Sequence, residues 1–396
     1  MSKLQELKNK LSPNGIEFRK LGEIGTFYGG LSGKNKYDFI NGNAKFISYK
    51  NVFNNIEIDL NINDTVKVNE TEAQNTIKYA DILFTGSSET LEESGISSVV
   101  TFEPQENYYL NSFCFGLRFF DNIKILPNFA KYLFRCSNIR KQIIKCSQGV
   151  TRYNLSKKKM ESIEIPIPPL KVQEEIIRIL DPLTKDVNEL IDLLKREQDL
   201  RKKQYAYYRD KLLTFEEDSL KKRFRDTCII KSGEFASPKE LSKIQDDLHI
   251  YPCYGSNGLR GYINKFNYDG EYPIVGRVGA LCGSVNYVSG KFFVTDNALI
   301  VQSKGEYIPR FLYYLLISLN LNKYKAGGAQ PAIAGKTIYD LSAPLPPLEK
   351  QKEIVSILDN LEKYYNNLQE SLTVEIEKRK KQYEFYRDKL LTFEKI

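Results

Sequence analysis

The sequence predicts an α+β protein built in two halves: two similar α+β domains separated by two long antiparallel helices, related by a pseudo-two-fold axis. Three observations carry this. Residues 164–217 fall on 342–395 at a constant offset of 178, with 30 identities in 54 positions. Within that repeat, "RKKQYAYYRDKLLTFE" (201–216) returns as "RKKQYEFYRDKLLTFE" (379–394) with 14 of 16 positions identical. The segments preceding the two copies are far less alike, yet keep one order of features.

Taken in order, the N-terminal "MSKLQELKNKLSPNG" spaces Leu4, Leu7 and Leu11 as a short amphipathic helix and lacks the apolar core of a secretory leader. The first domain, 1–163, offers the strands "DILFTGSS", "SSVVTF" and "FCFGLRFF", then a proline-initiated helix, "LPNFAKYLFRC". The second, 218–341, repeats the order with "YPIVGRVG", "SVNYV", "ALIVQ" and "IPRFLYYLLIS". Each closes on a glycine-containing polar turn before a proline break, "IPIPPL" or "APLPPL", that helix cannot cross.

Beyond each break, in 164–217 and 342–396, the pattern is helical. Leu183, Val187, Leu190 and Leu194 form a seam whose counterparts are Leu361, Tyr365, Leu368 and Leu372. Helices over 171–216 and 349–394 would each be roughly 65–70 Å long. Pro182, present only in the first, predicts a kink or a short separate first segment. A domain the size of 218–340, with a radius of gyration near 14 Å, is too small to link such helices in parallel, so they are expected antiparallel with one domain at each end.

Composition narrows function by exclusion. The longest apolar run, Phe311–Ile317, is too short to span a bilayer, which predicts a cytoplasmic protein. None of the six cysteines stands in a C-x-x-C pair and His249 is the only histidine, so neither a zinc site nor a Ser-His-Asp triad is expected. "GGAQPAIAGKT" lacks the first glycine of a phosphate loop, since Gln330 stands where it is needed, and "GGLSGKN" has the wrong spacing. No catalytic residues and no metal ligands are assigned.

The net charge of +8 suits a polyanionic partner. Two related domains on a stiff rod suit a split DNA target, with rod length fixing the spacing of two unlike half-sites. Packing does not require the duplicated charges. Recent copying with solvated charges would account for them, as would docking of one partner copy on each helix end, which the divergence of the flanking domains favours. That assigns Arg201, Lys202, Lys203, Tyr208 and Arg209, with Arg379, Lys380, Lys381, Tyr386 and Arg387, to partner docking.

The chain resembles specificity subunits of type I restriction–modification systems over nearly its whole length. The resemblance rests on "TRYNLSKKKMESIEIPIPPLKVQEEIIRILD", the paired "RKKQY…YRDKLLTFE" ends, "YPCYGSNGLRGYI", "GRVGA" and "AIAGKTIYDLSAPLPPLEKQ". It implies two target-recognition domains reading double-stranded DNA. It also implies two modification subunits, which bind S-adenosylmethionine and methylate adenine, packed on the helices, with motor-nuclease subunits joining them in some assemblies. This chain would itself be non-catalytic and carry no cofactor.

Candidate DNA-binding residues in the first domain are Ser48, Tyr49, Lys50 and Asn51; Thr85, Gly86 and Ser87; and Gly149, Thr151, Arg152 and Tyr153. In the second they are Tyr254, Gly255, Ser256, Asn257 and Gly258, with Arg277, Asp296, Asn297, Gly328 and Gln330. The glycines would admit a phosphate close to the backbone. Arg152 and Arg277 suit guanine, and Asn257 or Gln330 suits adenine. Lys157, Lys158 and Lys159 suit phosphates. Two competing readings are a coiled-coil structural adaptor, which predicts no salt-sensitive DNA binding, and a fused methyltransferase, which predicts cofactor binding by this chain.

Overall fold

A computed structural model of the chain describes Glu6, Lys10, Pro13 and residues 15–216, 219–327 and 331–395. The expected helix at Leu4, Leu7 and Leu11 lies outside the described residues. The chain forms two compact units, residues 1–193 with 374–396, and residues 194–373.

The first unit begins with β1 (Phe18–Lys20), α1 (Leu21–Ile24), β2 (Gly25–Gly29), β3 (Ala44–Ile47), α2 (Tyr49–Asn54) and β4 (Thr65–Val66). It continues with β5 (Ile82–Thr85), β6 (Ser87–Ser88), β7 (Ser97–Val99), β8 (Tyr108–Leu110) and β9 (Cys114–Phe119). There follow α3 (Pro127–Leu133), α4 (Ser137–Lys145), β10 (Ser147–Gln148), β11 (Tyr153–Leu155), α5 (Lys157–Met160) and β12 (Glu164–Pro166). An antiparallel sheet in the order β2-β9-β5-β7 carries the core. Its central strand, "ILFT", is buried on both faces because α3 and α4 cover one side and β3, α2 and β8 cover the other. Phe84 stacks on Phe115 at 5.4 Å and meets Phe134 edge-on at 5.6 Å. Burying one such ring contributes about 2–3 kcal/mol.

The second unit holds β13 (Lys221–Arg223), α7 (Phe224–Thr227), β14 (Cys228–Ser232), β15 (Tyr251–Gly255), β16 (Gly258–Ile263), β17 (Tyr268–Gly276) and β18 (Val285–Val294). After these come β19 (Ala298–Ser303), α8 (Pro309–Ser318), α9 (Gly335–Tyr339) and β20 (Ser342–Pro344). Its sheet runs β14-β19-β17-β18-β15-β16. The first four strands repeat the antiparallel order of β2-β9-β5-β7. The parallel pairing of β3 with β8 returns as β15 with the end of β18. The two-stranded pair β1–β12 returns as β13–β20. The two domains thus share one fold.

The long helices are α6 (Leu170–Leu212) and α10 (Leu348–Leu390), 43 residues each, or roughly 65 Å at 1.5 Å per residue. Within each unit their segments pair antiparallel. In the first, the Thr184 and Tyr383 hydroxyls meet at 2.9 Å. In the second, Gln198 meets Gln369 and Thr373, while Tyr205 stacks on Tyr365 at 4.9 Å. The seam differs from the expected one at one step: Leu190 turns outward and Ile191 is buried instead. A run of +4, +3 spacings from Leu180 through Thr184 and Val187 reaches 191 rather than 190.

No separate first segment forms at Pro182; α6 runs through it as one helix. Pro182 is exposed, so the donor it withholds from the Arg178 carbonyl is missing on the wet face, and Thr184 Oγ1 donates to the Leu180 carbonyl at 2.6 Å. Both helices stop four residues short of the predicted ends. The four residues that follow, "LTFE", leave the helix, and their leading leucines, Leu213 and Leu391, enter the cores of the second and first units respectively.

Candidate nucleic-acid interface

Three of the sequence-predicted groups in the first domain converge. β11 pairs antiparallel with β6, Tyr153 opposite Ser88 and Asn154 opposite Ser87, which brings the 149–153 turn beside 86–88. Tyr49, first residue of α2, donates its hydroxyl to the Ser87 carbonyl at 2.8 Å and stacks on Phe53 at 5.9 Å. Burial pushes the Tyr49 phenol above its ordinary value, which holds it as the donor. Together they line a cleft of about 360 Å³ with Ser88, Glu89, Glu93, Phe113 and Arg152.

Not all the predicted residues face that cleft. Thr85 is fully buried, and its hydroxyl accepts from the Ile96 amide at 3.0 Å. Asn51 is spent on structure: its amide meets both the N–H and carbonyl of Asp59, and the Asn55 side chain. Gly86 is needed because a Cβ there would lie 2.8 Å from the Phe113 carbonyl oxygen, an internal approach rather than one to phosphate. Gly149, at φ +124, forms the turn that presents Thr151 and Arg152. Ser48 caps α2 through its carbonyl, and Lys50 is exposed. Lys157, Lys158 and Lys159 are exposed on α5, whose first turn is capped by Ser156.

In the second domain the predicted loops gather around Ser256. Its hydroxyl donates to the Asn297 carbonyl at 2.5 Å and accepts from the Val278 amide at 3.1 Å. The Ser284 hydroxyl donates to the Ser256 carbonyl at 2.8 Å, and the Arg277 amide donates to the Asn297 carbonyl at 3.0 Å. Gly255, Ser256 and Gly258 are therefore buried framework for the β15–β16 hairpin, with Gly258 at φ +86 closing the turn. They shape the surface rather than line it. Tyr254 packs edge-on against Phe292 at 6.1 Å.

Asn257 is exposed at the hairpin tip, with Arg260 exposed beside it. Arg277 is half-buried, its Nη1 donating to Ser232 Oγ at 3.2 Å, so its fork is partly occupied at home. Asp296 and Asn297 lie half-buried in the turn from β18 to β19. Gly328 and Gln330 lie outside the described residues; the segment that follows them bonds this same cluster through Gly279 to Pro331 and Ile333 to Arg277. Sequence reasoning missed Glu89, Glu93, Phe113 and Arg260.

On the helices, the duplicated stretch divides by face. Arg201 donates to Glu197 and Gln204, and Arg379 repeats this with Glu375 and Gln382. Arg209 and Arg387 pair with Asp210 and Asp388 and lie over the Tyr205 and Tyr383 rings. These four arginines are committed within the chain. Lys202, Lys203 and Tyr208, and equally Lys380, Lys381 and Tyr386, are exposed. Tyr207 and Tyr208 form an edge-on pair at 5.4 Å, and Phe385 and Tyr386 form its double at 5.5 Å.

A family model described as the type I restriction modification DNA specificity domain matches residues 13–198 and again 217–378. The chain belongs to that family. It is 36% identical over 208 residues to the type I restriction enzyme EcoprrI specificity subunit of Escherichia coli, a match covering 52% of this chain and 52% of that subunit. This chain therefore aligns with about half the length of that relative. Two putative type I specificity subunits of Mycoplasma pneumoniae are 32% identical over 254 residues and 31% over 247. These matches cover 61% and 59% of this chain, and 90% and 98% of theirs. A chain from a structure of the assembly and conformational transition of the type I R-M system superposes with a TM-score of 0.73 at 18% identity. That superposition covers 96% of this chain and 98% of the other, and so shares the fold. Among the described residues, no helix is long and apolar enough to cross a membrane, and no His/Cys/Asp/Glu group is arranged to hold a metal.

Proposed function

We propose that this chain is the DNA-recognition subunit of a type I restriction–modification complex and performs no chemistry itself. Each domain reads one half of an asymmetric bipartite site, and α6 and α10 set the distance between the halves. One observation carries this reading: the two units share a strand order while their exposed loops differ. β3 leads into the helix α2 (Tyr49–Asn54), whereas its counterpart β15 turns at Asn257 into the strand β16. A shared scaffold with unlike loops suits two unlike half-sites.

The repeated helix faces support docking of two copies of one methyltransferase subunit, which would supply S-adenosylmethionine; motor-nuclease subunits would join that assembly. The exposed lysines and aromatic pairs, rather than the four committed arginines, form the docking surface, with Tyr207 and Phe385 added to it. The decisive experiment maps methylated adenines by long-read sequencing in cells expressing this chain and a type I methyltransferase subunit together, and each of them alone. A split, asymmetric motif that appears only with both proteins supports the reading. A motif that persists without this chain would reject it.

A further inference from the structure

The first-domain cleft is lined by charges of both signs that do not neutralise one another. Among the described residues, neither the Arg152 guanidinium nor the Glu89 carboxylate has a hydrogen-bond or ion-pair partner. Glu93 accepts only from the Thr90 hydroxyl, at 2.9 Å, which leaves most of its acceptor capacity open. Two carboxylates are costly on a surface that meets a polyanion, because phosphates repel them. Their presence beside Arg152 calls for a ligand with a donor on one side and acceptors on the other.

Base-pair edges supply that pattern selectively. In the major groove, C·G offers the cytosine N4 amino donor on one side and guanine O6 and N7, two adjacent acceptors, on the other. A·T offers its N6 donor between the adenine N7 and thymine O4 acceptors, so a carboxylate facing the donor also faces acceptors that repel it. Resting on the DNA-recognition reading above, we propose that this cleft reads one C·G pair. A carboxylate of the Glu89–Glu93 pair accepts the one cytosine N4–H that base pairing leaves free, and Arg152 donates to guanine O6 and N7. Phe113, 60% exposed, supplies an apolar wall for the base edge.

The test uses the full chain co-expressed with its methyltransferase, with methylated sites mapped genome-wide. The wild-type motif should contain a required C·G pair in one half. The double variant Glu89→Gln, Glu93→Gln should relax that single position toward A·T, since an amide can serve adenine N6 and N7. Discrimination there should fall roughly ten- to hundred-fold, while the other half-site stays unchanged and so reports an intact fold. Arg152→Ala should relax the same position. A motif unaltered in these variants overturns the proposal, as does a wild-type motif with no required C·G pair in either half. A uniform loss of binding for Arg152→Ala, with a shallower salt dependence, would mark a phosphate contact and also overturn it. A wild-type complex that methylates no defined motif overturns the recognition reading, and this proposal with it.

Discussion

Gln173 Oε1 accepts the backbone N–H of Leu126 at 2.8 Å, joining the start of α6 to the start of α3. Its Nε2 donates to the Lys124 and Pro168 carbonyls, each at 2.8 Å, and the side chain is wholly buried. Gln351 repeats all three bonds with Ile308, Glu306 and Pro346. One amide thereby satisfies a helix N-terminus and two loop carbonyls that burial would otherwise orphan. Gln173→Ala is expected to destabilise the protein by about 2–4 kcal/mol, as buried groups lose their partners. Gln351→Ala should match it in the second unit. Urea unfolding checks both; a loss within error for either would show that water replaces the amide.

The tail of each repeat has a packing role that its exposure pattern on the helix does not reveal. Leu213 and Leu391 are 6% and 5% exposed and sit in the cores of different units. The first copy of "LLTFE" therefore closes the second unit, and the second copy closes the first. Behind Leu391, the Ile16 amide donates to the Glu394 carbonyl at 2.9 Å, and Lys395 pairs with Glu164. Leu391→Ala should cost about 2–4 kcal/mol, with unfolding of the first unit at lower denaturant, and Leu213→Ala should do the same to the second. Domain-resolved hydrogen exchange would separate them, and equal effects on both units would contradict the assignment.

All six cysteines are buried as free thiols. Burial pushes Cys228 and Cys253 up to about 11 and Cys114 up to about 12. An unfolded thiol ionises near ~8.5, so below that pH both states are protonated and these groups leave stability unchanged. Above it the unfolded chain loses its protons first, so stability should fall as pH rises from about 8.5 toward 11. Native alkylation at pH 7.5 should be slow and should track unfolding. Fast labelling of any cysteine in the native protein would disprove its burial.

The long helices α6 and α10 were legible because their constraints are local and written twice: proline breaks, periodic leucines and an ungapped repeat. Even there, Leu190 and Ile191 compete for one seam position, and only the partner helix decides between them. The identity of Gln173 and Gln351 was visible, but its cause was not, since it binds backbone about 45 residues away. The cleft was half legible. Glycines and polar residues in turns draw attention as DNA contacts, which picked out Arg152 and Asn257, both of them exposed. The same cue also drew in Thr85, Asn51 and Ser256, whose polar atoms are spent on backbone. Glu89, Glu93 and Phe113 carry no such cue, and only the pairing of β11 with β6 brings Arg152 to them.

The exposed aromatic pairs lie in the part of the duplicated stretch that packing leaves unexplained. Tyr207 is 61% exposed and Phe385 is 61% exposed, each held edge-on by the tyrosine that follows it. A large ring fixed by its neighbour loses little freedom on binding, which is why such residues dominate interface energetics. If each pair anchors one methyltransferase copy, Tyr207→Ala with Tyr208→Ala should lower the complex from two copies per chain to one. Phe385→Ala with Tyr386→Ala should do the same at the other site, and all four substitutions should abolish assembly. Because these side chains face solvent, the unfolding midpoint of the isolated chain should move little. Native mass spectrometry of the co-expressed complex reads the stoichiometry directly. Two copies retained in the four-fold variant would place the docking surface elsewhere on the helices. A full loss from either pair alone would instead mean that the two copies bind only together.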